Sequence, residues 1–315
     1  MKKILVTGCA GFIGSHLTDR LLKNGHQVAG IDNFNDYYDP KIKERNLENA
    51  LKSKRFKLYR ADILDFGGLL QIFKKEKPQK VVHLAARAGV RASLTNPSLY
   101  GEVNVLGTTN LLKLTVDGQV AQFVFGSSSS VYGQSPHLPF TEDDPCENII
   151  SPYGASKRSA EFFVESFYHT YGLKSTILRL FTVYGPRGRP DMAPALFAKA
   201  LTRGESFNQF GDGTTSRDYT YIDDVISGII RALDRPFNFE IINLGNCHPA
   251  TLTYFIGTLA KIIGKKTRIK KLPKQPGDVE KTWANIDKAQ RLLGWQPKTK
   301  LEEGLRGYIK WLKGK

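Results

Sequence analysis

No apolar run in this 315-residue chain approaches the ~20 residues that a membrane helix requires. Before the first glycine the apolar stretch covers only Ile4 to Val6, against the ~7–15 residues of a signal core. The start is therefore read as a strand entering a loop, and the protein as cytoplasmic. Cysteine is scarce. Cys9, Cys146 and Cys247 form an odd set without CxxC spacing, which argues against a disulfide framework or a zinc site. The six histidines show neither HxxxH nor HExxH spacing, so no metal is expected. Acidic residues are also few, 30 against 46 Lys and Arg, for a formal charge of +16. The basic residues are dispersed, with short clusters at 52–55, 74–80 and 261–271 and no nucleic-acid motif beside them. They read as a solvated surface whose field draws an anionic substrate, not as a nucleic-acid or membrane face.

What is present is an alternation of short β-branched runs and amphipathic stretches, the pattern of a parallel α/β sheet. Strands are expected at 3–7, 27–31, 56–60, 80–84, 122–125, 175–180 and 240–244, with helices at 15–23, 69–75, 103–114 and 153–171. After residue 181, loops rich in Gly and Pro alternate with short helices. Residues 1–180, with a returning segment near 220–247, are expected to form a dinucleotide-binding unit. Residues 181–219 and 248–315 then form a smaller, discontinuous substrate unit over the carboxyl ends of the strands, where doubly wound sheets bind ligands.

Two motifs carry chemistry. Gly8, Gly11 and Gly14 stand as GxxGxxG after the first strand and at the start of a helix, the arrangement that cradles a pyrophosphate. Asp32 ends the second strand, where a carboxylate accepts from both ribose hydroxyls and repels a 2′-phosphate, so NAD is favoured over NADP. The competing reading of Asp32 is a turn residue. Asp62 is placed to meet the adenine amine, and Ala85 and Ala86 leave room for the second ribose. The second motif is Tyr153 and Lys157, one helical turn apart in SPYGASK, behind the serine cluster 127–130. A phenol near pKa 10 is a poor base at neutral pH. The lysine's charge is expected to favour the phenolate and a serine to share its proton. A half-exposed helix pair is the bland alternative.

TGCAGFIGSH, HLAARAG, SSSSVYG, YGASK and RDYTYIDDV together resemble the extended short-chain dehydrogenase/reductase superfamily, its nucleotide-sugar epimerase and dehydratase branch, from residue 2 to about 312. The resemblance implies a Rossmann-type doubly wound α/β fold, tightly held NAD, a UDP- or dTDP-sugar substrate, and a homodimer through two long helices, about 103–114 and 153–171. It implies Ser128, Tyr153 and Lys157 as the catalytic set. It places Phe12, Ile13, Asn33, Ile63 and Asn104 beside the cofactor, Arg91 beside the substrate, Arg217 on the nucleotide diphosphate and Asp278 on the uridine ribose. Gln275 stands where many epimerases carry a second diphosphate arginine.

Within that branch, Ser129 and Ser130 occupy the Asp-Glu positions that dehydratases use to eliminate water. Segments 32–40, 85–93, 181–193 and 274–279 look like UDP-glucuronate 4-epimerases, which interconvert UDP-glucuronate and UDP-galacturonate through a 4-keto sugar. Such an enzyme must hold the substrate carboxylate out of line with the ketone to prevent loss of carbon dioxide. Arg189 has the bidentate geometry for this, with Thr182, Ser129 and Ser130 as neutral partners. The competing readings are ion pairs, Arg189 with Asp191 and Arg217 with Asp218 or Asp223. A UDP-glucose/UDP-galactose 4-epimerase and a non-catalytic dinucleotide sensor are the alternative functions.

Overall fold

The β-branched runs become parallel strands because a helix-covered sheet takes strands that are apolar on both faces. The computed structural model describes residues 1–275 and 277–314; Pro276 of the KQPGD segment and Lys315 lie outside the described residues. Seven strands form one sheet: β1 (Lys3–Thr7), β2 (Gln27–Asp32), β3 (Phe56–Arg60), β4 (Lys80–His83), β5 (Gln122–Ser128), β6 (Ser175–Leu180) and β7 (Phe239–Leu244). Their order is β7-β6-β5-β4-β1-β2-β3, and every pair is parallel. Strand order reverses between β1 and β4, which opens a crevice at their carboxyl ends.

Alternation along each strand feeds two cores. Ile4, Val6, Val82, Val124 and Leu178 pack to one face, with Leu17, Ile226, Ile229 and Trp295. Leu5, Val81, Phe123, Phe125 and Ile177 pack to the other, with Leu111, Ala160 and Val164. A third cluster joins the helices Ala193–Arg203, Leu252–Ile263 and Leu301–Lys313 through Phe197, Leu201, Phe255, Leu259 and Leu305. Three short strand pairs tie these elements together beyond the end of β6: Thr182–Tyr184 with Tyr219–Tyr221, Ser216–Arg217 with Ala250–Thr251, and Phe207–Phe210 with Ile269–Leu272.

Some boundaries differ from the sequence pattern. The first helix starts at Phe12, immediately after the glycine turn. The helix expected at 103–114 is a π-helical stretch, Glu102–Leu106, running into an α-helix, Gly107–Asp117. Gly107 lies against Ile63, where a Cβ would come within 2.5 Å of the Ile63 side chain. Asp39 caps an unexpected short helix, Pro40–Asn46, by accepting from the Lys41 amide. Helix Pro152–Tyr171 is well terminated: Ser151 accepts from the Gly154 amide, Pro152 opens it, and Gly172 at φ 67° ends it.

Candidate active site

The crevice at the switch point is lined by the glycine turn, the ends of β2, β4 and β5, the Tyr153–Lys157 turn and the loop bearing Arg189. Two glycines are sterically required. A Cβ on Gly14 would lie 2.0 Å from the Gly8 carbonyl oxygen, and one on Gly8, at φ +69°, would lie 2.8 Å from the Ala85 amide. Gly11 provides no side-chain cap for helix Phe12–Lys23, so the amides of its first turn remain free for a phosphate. Asp32 is buried and accepts from the amides of Ala10 (3.0 Å) and Phe34 (2.9 Å). A carboxylate has about four acceptor positions, so roughly two remain for a ribose diol. Asp62 accepts from the Asn33 side-chain amide (2.8 Å) and the Leu64 amide (2.9 Å), and Asn33, Asp62 and Ile63 all face the crevice. These residues fit a dinucleotide with an unphosphorylated ribose.

Asn104 takes a different place. Its buried amide bonds both the amide and the carbonyl of Arg87 (2.8 and 2.9 Å) and the Ser156 hydroxyl (2.9 Å), pinning the loop after β4 to helix Pro152–Tyr171. It lies behind the crevice wall.

Ser128, Tyr153 and Lys157 converge in the crevice. The Tyr153 phenol stands beside Ser128 in the crevice, and its ring meets Tyr100 edge-on at 6.1 Å between centroids. Lys157 is 3% exposed, its ammonium 4.4 Å from the centre of the Phe125 ring. The charges do not fall as the spacing suggests. Burial raises the Tyr153 pKa, opposed by the Ser128 hydrogen bond and then by the charge of Arg189, not of Lys157. Burial also lowers Lys157 to about 7, against the pull of Glu161. In a dry site desolvation outweighs a neighbouring charge.

Arg189 lies in a loop that straps the crevice. At one end His16 meets the Pro186 carbonyl (2.9 Å) and Arg187 pairs with Asp19 (2.8 Å) on the glycine-turn helix. At the other, the Tyr37 hydroxyl reaches Asp191 (3.4 Å). Arg189 itself grips Asp191 through Nε (3.0 Å) and Nη2 (2.6 Å). The loop ion pair is thus formed, yet the guanidinium still lines the crevice beside Tyr153.

Ser129, Ser130 and Thr182 lie outside the crevice lining. Ser129 and Ser130 begin a 3-10 turn in which the Ser130 amide donates to Ser128 Oγ (3.2 Å). Thr182 joins β6 to the small strand pair, its amide donating to the Asp218 carbonyl (3.0 Å). Arg91, Arg217 and Asp278 form a separate group. Arg91 pairs with Asp278 (2.9 Å) and covers the Phe210 ring at 4.4 Å. Arg217, its pKa lowered by burial, feels the charges of Asp278 and Arg91. Asp218 is not its partner, because that buried carboxylate already accepts from the amides of Asn246, Cys247 and Ala284. Asp223 makes no bond to it either; Arg217 donates to the carbonyls of Ser216 and Glu280.

Sequence reasoning missed Tyr37, Ser127 and Glu161. The last had a signal: Tyr153, Lys157 and Glu161 repeat at four-residue spacing on one helix face.

Residues 5–308 match the family model described as GDP-mannose 4,6 dehydratase. The chain belongs to that family. Among its relatives, a UDP-glucuronate 4-epimerase of Thermodesulfobacterium geofontis is 47% identical, the match covering 98% of this chain and 95% of that one. UDP-glucuronate 4-epimerase 4 of Arabidopsis thaliana is 42% identical over 98% of this chain and 74% of its own length. A solved UDP-glucuronic acid 4-epimerase from Bacillus cereus, in complex with UDP-glucuronic acid and NAD, superposes with a TM-score of 0.93 at 39% identity, covering 99% of both chains. UDP-glucose 4-epimerase of Thermotoga maritima superposes equally widely, 99% of both chains, with a TM-score of 0.92 at 36% identity. The family's dehydratase name does not carry over to residues 129 and 130, which are serines here.

Proposed function

We propose that the chain is an NAD-dependent UDP-glucuronate 4-epimerase. The observation that carries this reading is the Arg189 guanidinium in the same crevice as Tyr153, Lys157 and Ser128. Bound NAD supplies the site with a hydride acceptor that returns what it takes. Tyr153 removes the proton of the sugar 4-hydroxyl, with Ser128 as its hydrogen-bond partner, and gives it back after the 4-keto sugar has turned over. Arg189 offers the sugar carboxylate a charged, directional anchor that keeps it out of line with the ketone. Arg91, Arg217 and Asp278 hold the uridine diphosphate end.

A UDP-glucose/UDP-galactose 4-epimerase is the second reading, favoured by the two bonds Asp191 already makes to one edge of the Arg189 fork. Incubation of the NAD-loaded protein with UDP-glucuronate or UDP-glucose, followed by chromatographic separation of the products, decides between them. UDP-galacturonate formation supports the proposal. Turnover of UDP-glucose alone selects the second reading, and release of carbon dioxide with a UDP-pentose rejects both.

We also propose a homodimer through helix Pro152–Tyr171 and the helical stretch made of Glu102–Leu106 and Gly107–Asp117. Its outward residues Leu106, Phe162 and Phe163 are 52%, 54% and 40% exposed, an apolar face that a second copy would cover. Light scattering of the parent and of Phe162→Glu tests this; a monomeric parent rejects it. Among the described residues no helix is long and apolar enough to cross a membrane, and a cytoplasmic site of action is part of the proposal.

A further inference from the structure

Beneath the catalytic turn lies a buried charge cluster that the reaction does not use directly. Glu161 is 1% exposed, one helical turn beyond Lys157. Its oxygens accept four bonds: Ser127 Oγ (2.5 Å) and Arg179 Nε (3.0 Å) on one, Arg179 Nη2 (2.8 Å) and Arg158 Nη1 (2.9 Å) on the other. That fills the acceptor capacity of a carboxylate. Ser127 and Arg179 are register partners on β5 and β6, and Arg179 is fully buried. One carboxylate thus joins three elements: the helix of Tyr153 and Lys157, the end of β5, and β6.

We propose that Glu161 is a positioning residue of the epimerase: its carboxylate ties the serine end of β5 to the catalytic helix and so sets where Ser128 meets the Tyr153 phenol. The inference rests on the reaction proposed above. Packing alone does not explain the cluster, since a buried ion pair is often replaceable by apolar side chains without loss of stability. What an apolar side chain cannot do is hold Ser127, the neighbour of Ser128, by a hydrogen bond. Glu161 is also the anion among the groups facing Lys157. These are Tyr153 and Glu161 on its own helix, His83 from β4, and the Phe125 ring and Ser128 from β5; Arg158 and Arg179 reach it only through Glu161. His83 is neutral, its pKa held far below the usual value by burial and the Lys157 charge. The Glu161 charge therefore raises the proton affinity of Lys157.

The test uses the full NAD-loaded chain with UDP-glucuronate and UDP-glucose, comparing the parent with Ser127→Ala and Glu161→Gln. Ser127→Ala leaves the Arg158 and Arg179 bonds to Glu161 in place, so it should retain the fold, read from its circular dichroism. Its kcat should fall about ten-fold, the loss of one hydrogen bond, with KM, melting temperature and bound NAD unchanged. Glu161→Gln should lower kcat about 100-fold, the scale of a ~1 Å misplacement. It should also move the alkaline limb of kcat/KM to lower pH, which Ser127→Ala should not. A Ser127→Ala enzyme within two-fold of the parent overturns the inference, even where Glu161→Gln does not fold. So does a rate loss that merely follows lost stability or lost NAD. A parent inactive on both sugars refutes the reaction itself, whereas an active parent matched by Ser127→Ala refutes only the role of Glu161.

Discussion

Replacing Arg189 with Ala separates recognition of an acidic sugar from the chemistry at carbon 4. The guanidinium side chain is 17% exposed and already grips Asp191, whose side chain is 38% exposed. Removing it costs the substrate carboxylate a charge-assisted bond, about 2 kcal/mol net. It also leaves Asp191 unpaired in the crevice that receives another carboxylate. At ~5 Å and an effective dielectric near 20 that repulsion is about 3 kcal/mol, which the partial exposure of Asp191 screens to about 1. The sum, about 3 kcal/mol, corresponds to roughly 150-fold weaker binding of UDP-glucuronate. UDP-glucose has no carboxylate to lose or repel and should bind within about three-fold of the parent. Titration calorimetry of the NAD-loaded Arg189→Ala protein with each nucleotide sugar measures both. The charge of Arg189 also lowers the Tyr153 pKa, so the acid limb of the rate profile should move to higher pH for either sugar. Equal weakening of both sugars, or of neither, would refute Arg189 as the reader of the carboxylate.

Tyr153→Phe removes the proton acceptor and should lower kcat about 1,000-fold while the protein retains its NAD, as measured by cofactor release on denaturation. Trp295 is 1% exposed and donates to the Asp224 carbonyl (3.0 Å) and the Ser227 hydroxyl (2.8 Å). Trp295→Ala should cost about 4 kcal/mol, read as a lower urea midpoint at unchanged slope. Burial raises the Glu76 pKa, but hydrogen bonds from Tyr59, Lys57 and Lys3 outweigh it and take the carboxyl down to about 2. Because the folded value lies below the ordinary 4.5, this group's stabilisation is complete above pH 4.5 and is lost as pH falls toward 2. Lys57 is half exposed, so the screened contribution is about 2 kcal/mol. In Glu76→Gln, denaturation midpoints between pH 5 and 3 should fall less steeply than in the parent, and parallel curves would contradict the assignment.

Local pattern was enough for much of this molecule. The glycine spacing, the acid closing β2 and the Tyr-Lys turn are each short, contiguous signals whose geometry follows from one strand, one turn or one helix face. Short β-branched runs set between amphipathic stretches marked all seven strands of the sheet, because a strand covered by helices on both faces is apolar along its whole length. Boundaries slipped where a cap or a neighbour decided them, as at Asp39 and at Gly107 against Ile63.

What tertiary structure alone decided is which distant groups meet and how dry they are. Asp191 took one edge of the Arg189 fork and Tyr37 closed the strap from 154 residues away. Asp218 went to three backbone amides and not to Arg217. Ser127, Glu161 and Arg179 came together from β5, a helix and β6. The protonation balance of Tyr153 and Lys157 belongs to the same class. Spacing says that two side chains share a helix face, but desolvation depends on everything packed around them, and here that burial governs the dyad.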